Sequence, residues 1–321
     1  MVYKFDAVVL GAGAAGLLCA IEAGKRGYRV AVLERSECAG KKILISGGGR
    51  CNFTNLYCQP ENFISANPHF AKSALARYTS ADLIALVEKH RIPYHEKTLG
   101  QLFCDRSAHD ITKMLEDECR AAGVQVFLNS NIQEVVRTTE FVVSTDADEF
   151  HAPAVVVATG GLSIPKMGAT AFGYDLARQF GLKIRETRPG LVPLVLGATD
   201  RDQYCDLTGV SAEVIVATDD ASSRAPQAFR EKMLITHRGL SGPAILQISS
   251  YWNEGRPIRM DLAPERDVTA AIRNAKVRNM AAARAALQEF LPKRFATRWL
   301  DLHAPHSWTN QALAQLEQQI H

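Results

Sequence analysis

A chain of 321 residues is too long for one small core and is expected to form two domains or three. With 47% hydrophobic and 22% charged residues it has the composition of an ordinary globular protein, which excludes a disordered chain. A net charge of +3 excludes a nucleic-acid binder defined by bulk charge, and leaves open basic charge gathered in one segment.

In chain order, residues 5–10 read as a buried parallel strand, 11–16 as a tight glycine turn, and 14–26 as a helix with Gly27 as its cap. Residues 29–33 read as a second buried strand closed by Glu34, and 40–55 as a long functional loop. Two helices are expected next, at 80–90 with Ser80 as N-cap and at 107–122 with Gly123 as the stop. Strands are expected at 124–128, 132–137, 141–145 and 155–158, the last running into the turn Thr159-Gly160-Gly161. A short helix at 173–180 follows. Alternating segments between 191 and 216 suggest a smaller β domain, followed by a short helix at 242–250 and a strand at 258–262. Everything from 267 to 321 reads helical, broken at Pro292 and Pro305.

The seven cysteines, Cys19, Cys38, Cys51, Cys58, Cys104, Cys119 and Cys205, are odd in number and form no Cys-x-x-Cys pair. Neither a disulfide framework nor a metal site is expected, and reduced thiols point to the cytoplasm. The first strand is entered at once, without a signal peptide, and no run of eighteen apolar residues predicts a membrane span.

The first chemical motif is Gly11, Gly13 and Gly16 in G-x-G-x-x-G spacing. Gly11 permits the turn out of the strand, Gly13 admits a pyrophosphate to the backbone, and Gly16 lets the helix pack against the sheet. The first helical residues, Ala14 and Ala15, then offer free N–H groups to phosphate. Glu34 ends the next strand, where an acid hydrogen-bonds ribose hydroxyls and favours FAD or NAD over NADP. The motif alone is weak evidence; its strand–turn–helix–strand setting makes an ordinary glycine turn the poorer reading. One fingerprint only is present, so NAD(P)H, as reductant, is expected to visit transiently.

With GKKILISGGGRCNFTN at 40–55, the chain resembles the YhiN-like flavoproteins, a branch of the two-dinucleotide-binding-domain superfamily. FCDRSAHD at 103–110, VVATGGLSIPKMGATAFGYDLARQFG at 156–181, RPGLVPL at 188–194, LITHRGLSGPAILQIS at 234–249 and MDLAP at 260–264 extend the likeness. Cys104 stands where that pattern has proline. The resemblance implies an α/β fold with a Rossmann-like FAD-binding domain (1–188), an inserted small β domain (189–263) and a helical insert (264–321). It implies FAD as the redox group and reduction of carbon–carbon double bonds, with uracil in ribosomal RNA or unsaturated steroid acids as substrates. Arg35, Lys41, Lys42, Ser46, Gly47, Gly48, Arg50, Cys51, Asn52, Thr159 and Gly160 fall in the matching segments and join the cofactor site by resemblance. The family's pattern also ends in a glycine-rich segment beside the flavin ring, with no counterpart in 304–321. FAD binding by this chain as written is therefore expected to be weak or lost, and a truncated, non-catalytic chain stands as one reading.

Catalytic candidates are Cys51, His237 and Ser241. Cys51 can donate a proton if Arg50 tunes its thiol towards neutrality, or can be a small packing residue under the flavin. His237 and Ser241 can contact substrate or move a proton, or can belong to a hydrogen-bonded turn. The segment 266–298 carries +6, from Arg266, Arg273, Lys276, Arg278, Arg284, Lys293, Arg294 and Arg298 against Asp267 and Glu289. It is either a solvated helical face or a surface for ribosomal RNA. The leading expectation is an FAD-dependent reductase of an activated C=C bond in ribosomal RNA; the rival is a reductase of small enones.

Overall fold

The computed structural model describes residues 1–218 and 227–321, in two compact units, Met1–Arg185 and Glu186–His321. The first unit runs β1 (Val2–Lys4), β2 (Ala7–Leu10), α1 (Ala14–Lys25), β3 (Val30–Leu33), α2 (Lys41–Ile45), β4 (Asn52–Asn55), α3 (Lys72–Arg77), α4 (Ser80–Lys89), β5 (Tyr94–Glu96), β6 (Gln101–Cys104), α5 (His109–Ala121), β7 (Gln125–Phe127), β8 (Ile132–Arg137), β9 (Phe141–Thr145), β10 (Glu149–Ala152), β11 (Val155–Val157) and α6 (Phe172–Gln179).

Its central sheet has the order β11-β2-β3-β7, with every pairing parallel. Unbroken apolar runs make these strands: Val8 to Leu10 and Val30 to Leu33 are buried throughout, as a sheet covered on both faces requires. Helix α1 packs Leu17, Ala20 and Ile21 onto it, and Gly24 lets α1 close on α5, since a Cβ there would lie 2.5 Å from the Ala122 carbonyl oxygen. A second sheet, β1-β10-β9-β8, shares an aromatic cluster of Tyr3, Phe5 and Phe150 with Phe127 of the central sheet. A third, antiparallel sheet has the order β4-β6-β5.

The structure departs from expectation at particular points. Residues 40–55 are not one loop: α2 buries Ile43, a 3-10 turn covers Ser46–Gly49, and β4 pairs with β6. The N-cap of α4 is Thr79, not Ser80: Thr79 Oγ1 accepts from Asp82 N at 3.3 Å while Asp82 Oδ2 accepts from Thr79 N at 2.7 Å. Strands β1, β5, β6 and β10 have three or four residues each and form through their pairing, β1 with the distant β10 and β5 with β6 in a short hairpin.

The second unit runs β12 (Leu194–Val195), α7 (Ala198–Tyr204), β13 (Ser211–Thr218), β14 (Ala228–Thr236), β15 (Gly239–Ser241), α8 (Pro243–Ser249), β16 (Ile258–Asp261), α9 (Val268–Arg273), α10 (Met280–Gln288), α11 (Lys293–His303) and α12 (Asn310–Ile320). The antiparallel sheet has the order β12-β15-β14-β13-β16. Helix α7 lies within the stretch expected to be mainly β. One apolar core joins Val214, Val216, Met233 and Ile235 of the sheet to Leu287, Trp299, Leu300 and Leu313 of the helices, so 189–263 and 264–321 pack as one body. Asp267, Asn279 and Thr309 cap α9, α10 and α12 by accepting backbone N–H bonds, and Pro292 is the N-cap residue of α11.

Glu118, buried on α5, gathers α1 and α4 through Lys25 at 3.3 Å, Lys89 at 2.5 Å and His90 at 2.8 Å. The Lys89 hydrogen bond, helped by those of His90 and Lys25, outweighs burial and holds its carboxyl down at about 2. Because that value is depressed, the stabilisation is fully present above pH 4.5, the carboxyl's ordinary value, and lost as pH falls through about 2. Glu118→Gln is expected to lower stability by about 2 kcal/mol at neutral pH, an amount typical of hydrogen bonds to a buried charge. Urea unfolding of both proteins should show the gap closing below pH 4.5; a pH-independent gap would refute this role.

Candidate functional site

Chain leaving β2 turns through α1 towards β3 on one side, while β11 lies on the other, so the carboxyl ends of β2 and β11 flank a switch point of the sheet. Gly11, with φ +105°, fills that point, and a Cβ there would come within 2.7 Å of the Ala158 carbonyl oxygen. A Cβ on Gly16 would overlap the carbonyl oxygen of Gly11. Gly13 differs: its φ is −80°, and a Cβ would meet nothing within 4 Å. Gly13 supplies no side-chain cap, and Ala14 and Ala15 are exposed, so the first-turn N–H groups of α1 look out over open space. That is the cradle a pyrophosphate needs.

Glu34 stands beside it. Its Oε2 accepts from Ala12 N and its Oε1 from Ser36 N, both at 2.9 Å. A carboxylate has about four acceptor sites, so each oxygen keeps capacity for a ribose hydroxyl. The bare cradle and the half-used carboxylate together fit the adenosine diphosphate portion of FAD.

A second glycine turn closes in from β11. Thr159 packs so tightly on α6 that a Cβ on Gly173 would lie 2.6 Å from its Oγ1, and Gly160 follows with φ +77°. Lys42 Nζ donates to Ser163 Oγ at 2.9 Å, and the guanidinium of Arg35 lies against Gly168. Arg35, Lys42, Thr159 and Gly160 are thus brought together. Lys41 turns instead to Glu37, at 2.9 Å. Gly40 N donates to Ala12 O at 2.8 Å, which ties this segment to the first turn.

Beyond α2, Gly47, Gly48 and Gly49 take φ of +56°, +68° and +85°. Ser46 Oγ donates to Ile43 O at 2.7 Å, and Ser46 O accepts from Cys51 N at 3.0 Å. Gly48, Arg50 and Asn52 are exposed. Cys51 corrects a sequence argument: the condition that Arg50 lower its pKa is not met. The side chain is 5% exposed and packed in the core with Cys104, and burial pushes the thiol up, against a smaller opposing hydrogen bond from Ser46.

His237 and Ser241 belong to the other unit. His237 is exposed in the turn between β14 and β15, where Thr236 Oγ1 donates to Gly239 O at 3.0 Å, and Ser241 faces Leu234 across the sheet. In the segment 266–298 much of the charge is met internally. Arg273 pairs with Asp267 at 2.5 Å, Arg298 with Asp206 at 2.7 Å and Arg284 with Asp301 at 3.9 Å. Lys276, Lys293 and Arg294 are exposed.

Sequence reasoning passed over Ser163 and Gly168, though both lie inside the matched run at 156–181. It also passed over His95 and Asp105, whose side chains meet at 2.6 Å; Asp105 lies inside the matched run at 103–110, and His95 in none. Among the described residues no group of three or more His, Cys, Asp or Glu is placed to hold a metal ion, and no helix is long and apolar enough to cross a membrane.

A parallel sheet with a glycine turn into its first helix, an acid ending the next strand and a second glycine turn at the same end is the Rossmann-type FAD-binding fold of FAD-dependent oxidoreductases. The chain belongs to the HI0933-like family: the HI0933-like protein Rossmann domain matches residues 5–253, and the HI0933-like protein barrel and H2TH domain matches 188–321. It is 46% identical to the ribosomal RNA dihydrouridine synthase of Escherichia coli K12 and 42% identical to that of Haemophilus influenzae, in each case over 92% of this chain and 73% of the relative. It is 28% identical to the 3-dehydro-bile acid delta(4,6)-reductase of Clostridium scindens, over 92% of this chain and 74% of that protein.

The cradle separates two kinds of glycine. Gly13→Val has room in the protein and is expected to change stability by no more than about 1 kcal/mol, while weakening FAD binding at least tenfold by filling the phosphate space. Gly16→Ala is expected to destabilise the fold itself. Thermal unfolding and quenching of flavin fluorescence read the two effects, and a Gly13→Val protein with unchanged FAD affinity would refute the cradle.

Proposed function

We propose that this protein is an FAD-dependent reductase of an activated carbon–carbon double bond, and that its substrate is a uracil base in ribosomal RNA. The observation that carries the substrate is the 46% and 42% identity, over 92% of the chain, to two relatives named ribosomal RNA dihydrouridine synthase. The cofactor reading is supported by the open Gly13 space and by Glu34 with acceptor capacity to spare.

In this reading Gly13, Ala14 and Ala15 hold the pyrophosphate through backbone N–H groups, and Glu34 holds the ribose. Arg35, after β3, and Lys42, on α2, balance phosphate charge beside the opposite turn, where Ser163 anchors Lys42. The left-handed run Gly47–Gly49 brings bare backbone to the ring system. When bound, FAD supplies a hydride for the double bond, and NAD(P)H restores the reduced form between turnovers. RNA phosphates are met by Arg266, Lys276, Arg278, Lys293 and Arg294, the exposed cations of 266–298 for which no carboxylate partner is seen among the described residues. A ribosomal substrate also implies work in the cytoplasm.

A small-molecule enone reductase is the second reading, favoured by the 28% identity to the bile acid reductase. Ribosomal RNA from cells lacking the gene, treated with purified protein, FAD and NADPH, is digested to nucleosides and weighed. Gain of dihydrouridine is expected. RNA left unchanged while a conjugated steroid ketone is reduced would move the assignment to small molecules.

A further inference from the structure

The sheet β4-β6-β5 sets a row of side chains beside the glycine loop. Phe103 on β6 is in register with Asn52 on β4 and with His95 on β5. Directly opposed residues of antiparallel strands share one face, whereas the neighbouring Cys104 points to the other. Asn52 and His95 are exposed at the ends of the row, and the Phe103 ring between them is covered. Gly47 rests on its edge, where a Cβ would come within 2.7 Å of Cε1. The His95 ring lies along it, with centroids 6.4 Å apart and planes 21° from parallel, and Lys97 Nζ sits 5.0 Å from its centre. One aromatic ring therefore separates His95 from the loop that the proposed function places against the ring system of FAD.

His95 is held for proton work. Its Nδ1 lies 2.6 Å from Asp105 Oδ1, and Asp105 is itself pinned by its N–H, which donates to Pro93 O at 3.0 Å. A carboxylate on Nδ1 fixes the ring's orientation and decides which nitrogen carries the exchangeable proton. Nε2 has no hydrogen-bond partner among the described residues, and the side chain is 43% exposed.

We propose that His95 is the proton donor of the reduction and that Asp105 is its positioning residue. The inference rests on the reading of the protein as a reductase of an activated C=C bond. One carbon of that bond receives the hydride, and its neighbour receives the proton from Nε2 of the imidazolium. The ring is left neutral with Nδ1–H donated to Asp105, and regains a proton from solvent. Over one cycle NAD(P)H and one proton are consumed, and NAD(P)⁺ and the saturated product leave. Cys51, the donor suggested by the sequence, lies in the opposite layer with Cys104.

The test compares FAD-loaded wild type with His95→Gln, His95→Asn and Asp105→Asn. Wild type is assayed first on ribosomal RNA and, if no dihydrouridine forms, on a conjugated steroid ketone, so that failure of the substrate reading shows before any variant is made. On whichever substrate is reduced, the His95 variants are expected to lose about 10²-fold or more in kcat, as loss of a general acid does, with KM and flavin content within about twofold. Imidazole in the buffer should restore part of the rate to His95→Asn, and Asp105→Asn should fall between the extremes. Independently of turnover, carbethoxylation of His95 by diethyl pyrocarbonate, read by peptide mass spectrometry, should slow when the reduced substrate's product is added. Unchanged kcat in both His95 variants, absence of product protection, or a wild type that reduces neither substrate would overturn the assignment.

Discussion

Both backbone polar groups of one buried residue, Ala12, hold the carboxyl end of the central sheet together. Ala12 N donates to the Glu34 carboxylate and Ala12 O accepts from Gly40 N, while the preceding Gly11 N donates to Leu33 O. The turn after β2 thus sets the position of the acid that ends β3 and of the segment leading into α2. The turn has no freedom of its own, because the carbonyl of Ala158 presses on Gly11 and Gly11 presses on Gly16. Strand, turn and helix must stack without intervening side chains. The same closeness leaves the first N–H groups of α1 facing outwards, since there is no side chain at Gly13 to cap them. Close packing on one side and unsatisfied donors on the other are two results of one backbone path.

The second unit follows another constraint. Its strands alternate, as β13 shows with Ala212, Val214 and Val216 turned inwards, and the inner face is covered by the helices that follow. A sheet open on that face would not stand alone, so the strands and helices of this unit form one cooperative body. Charge is folded into that packing. Arg298 reaches back from α11 to grip the Asp206 carboxylate with both Nη atoms and also donates to the carbonyl of Gln203. A run of basic residues therefore overstates the field it projects, because its partners come from far along the chain.

The parallel strands and α1 were legible because their apolar runs, glycines and caps are local signals. The third sheet was not legible. β5 and β6 are three and four residues long, and β4 begins inside a glycine-rich stretch whose composition says loop. Their pairing is a property of the fold, not of the segment. Thr79 displaced Ser80 as a cap because only Thr79 has Asp82 at the reciprocal position. The cysteines were read by chemistry, and the structure sorted them by burial: Cys51 and Cys104 share a core, and burial drives Cys104 up to about 12. His95 and Asp105 carry no recognisable spacing, because β5 and the end of β6 are brought together only by the hairpin.

The glycine loop shows why those strands matter. Three consecutive glycines and Cys51 take positive φ, and for Cys51 that conformation costs about 1 kcal/mol or more. The conformation is held by bonds within the protein: Cys51 N to Ser46 O, Ala108 N to Gly49 O and Cys104 N to Arg50 O. Burial of the Cys51 side chain against Cys104 adds to them. Ordinary alternation at the start of β4 buries Cys51 and exposes Asn52, ahead of the register shift between Asn52 and Thr54. Strain in the loop is therefore met during folding, by the sheet beneath it, and not by the ligand. On the proposed reading, a flat ligand at Gly48 meets backbone already shaped, so little of its binding energy is needed to order the site.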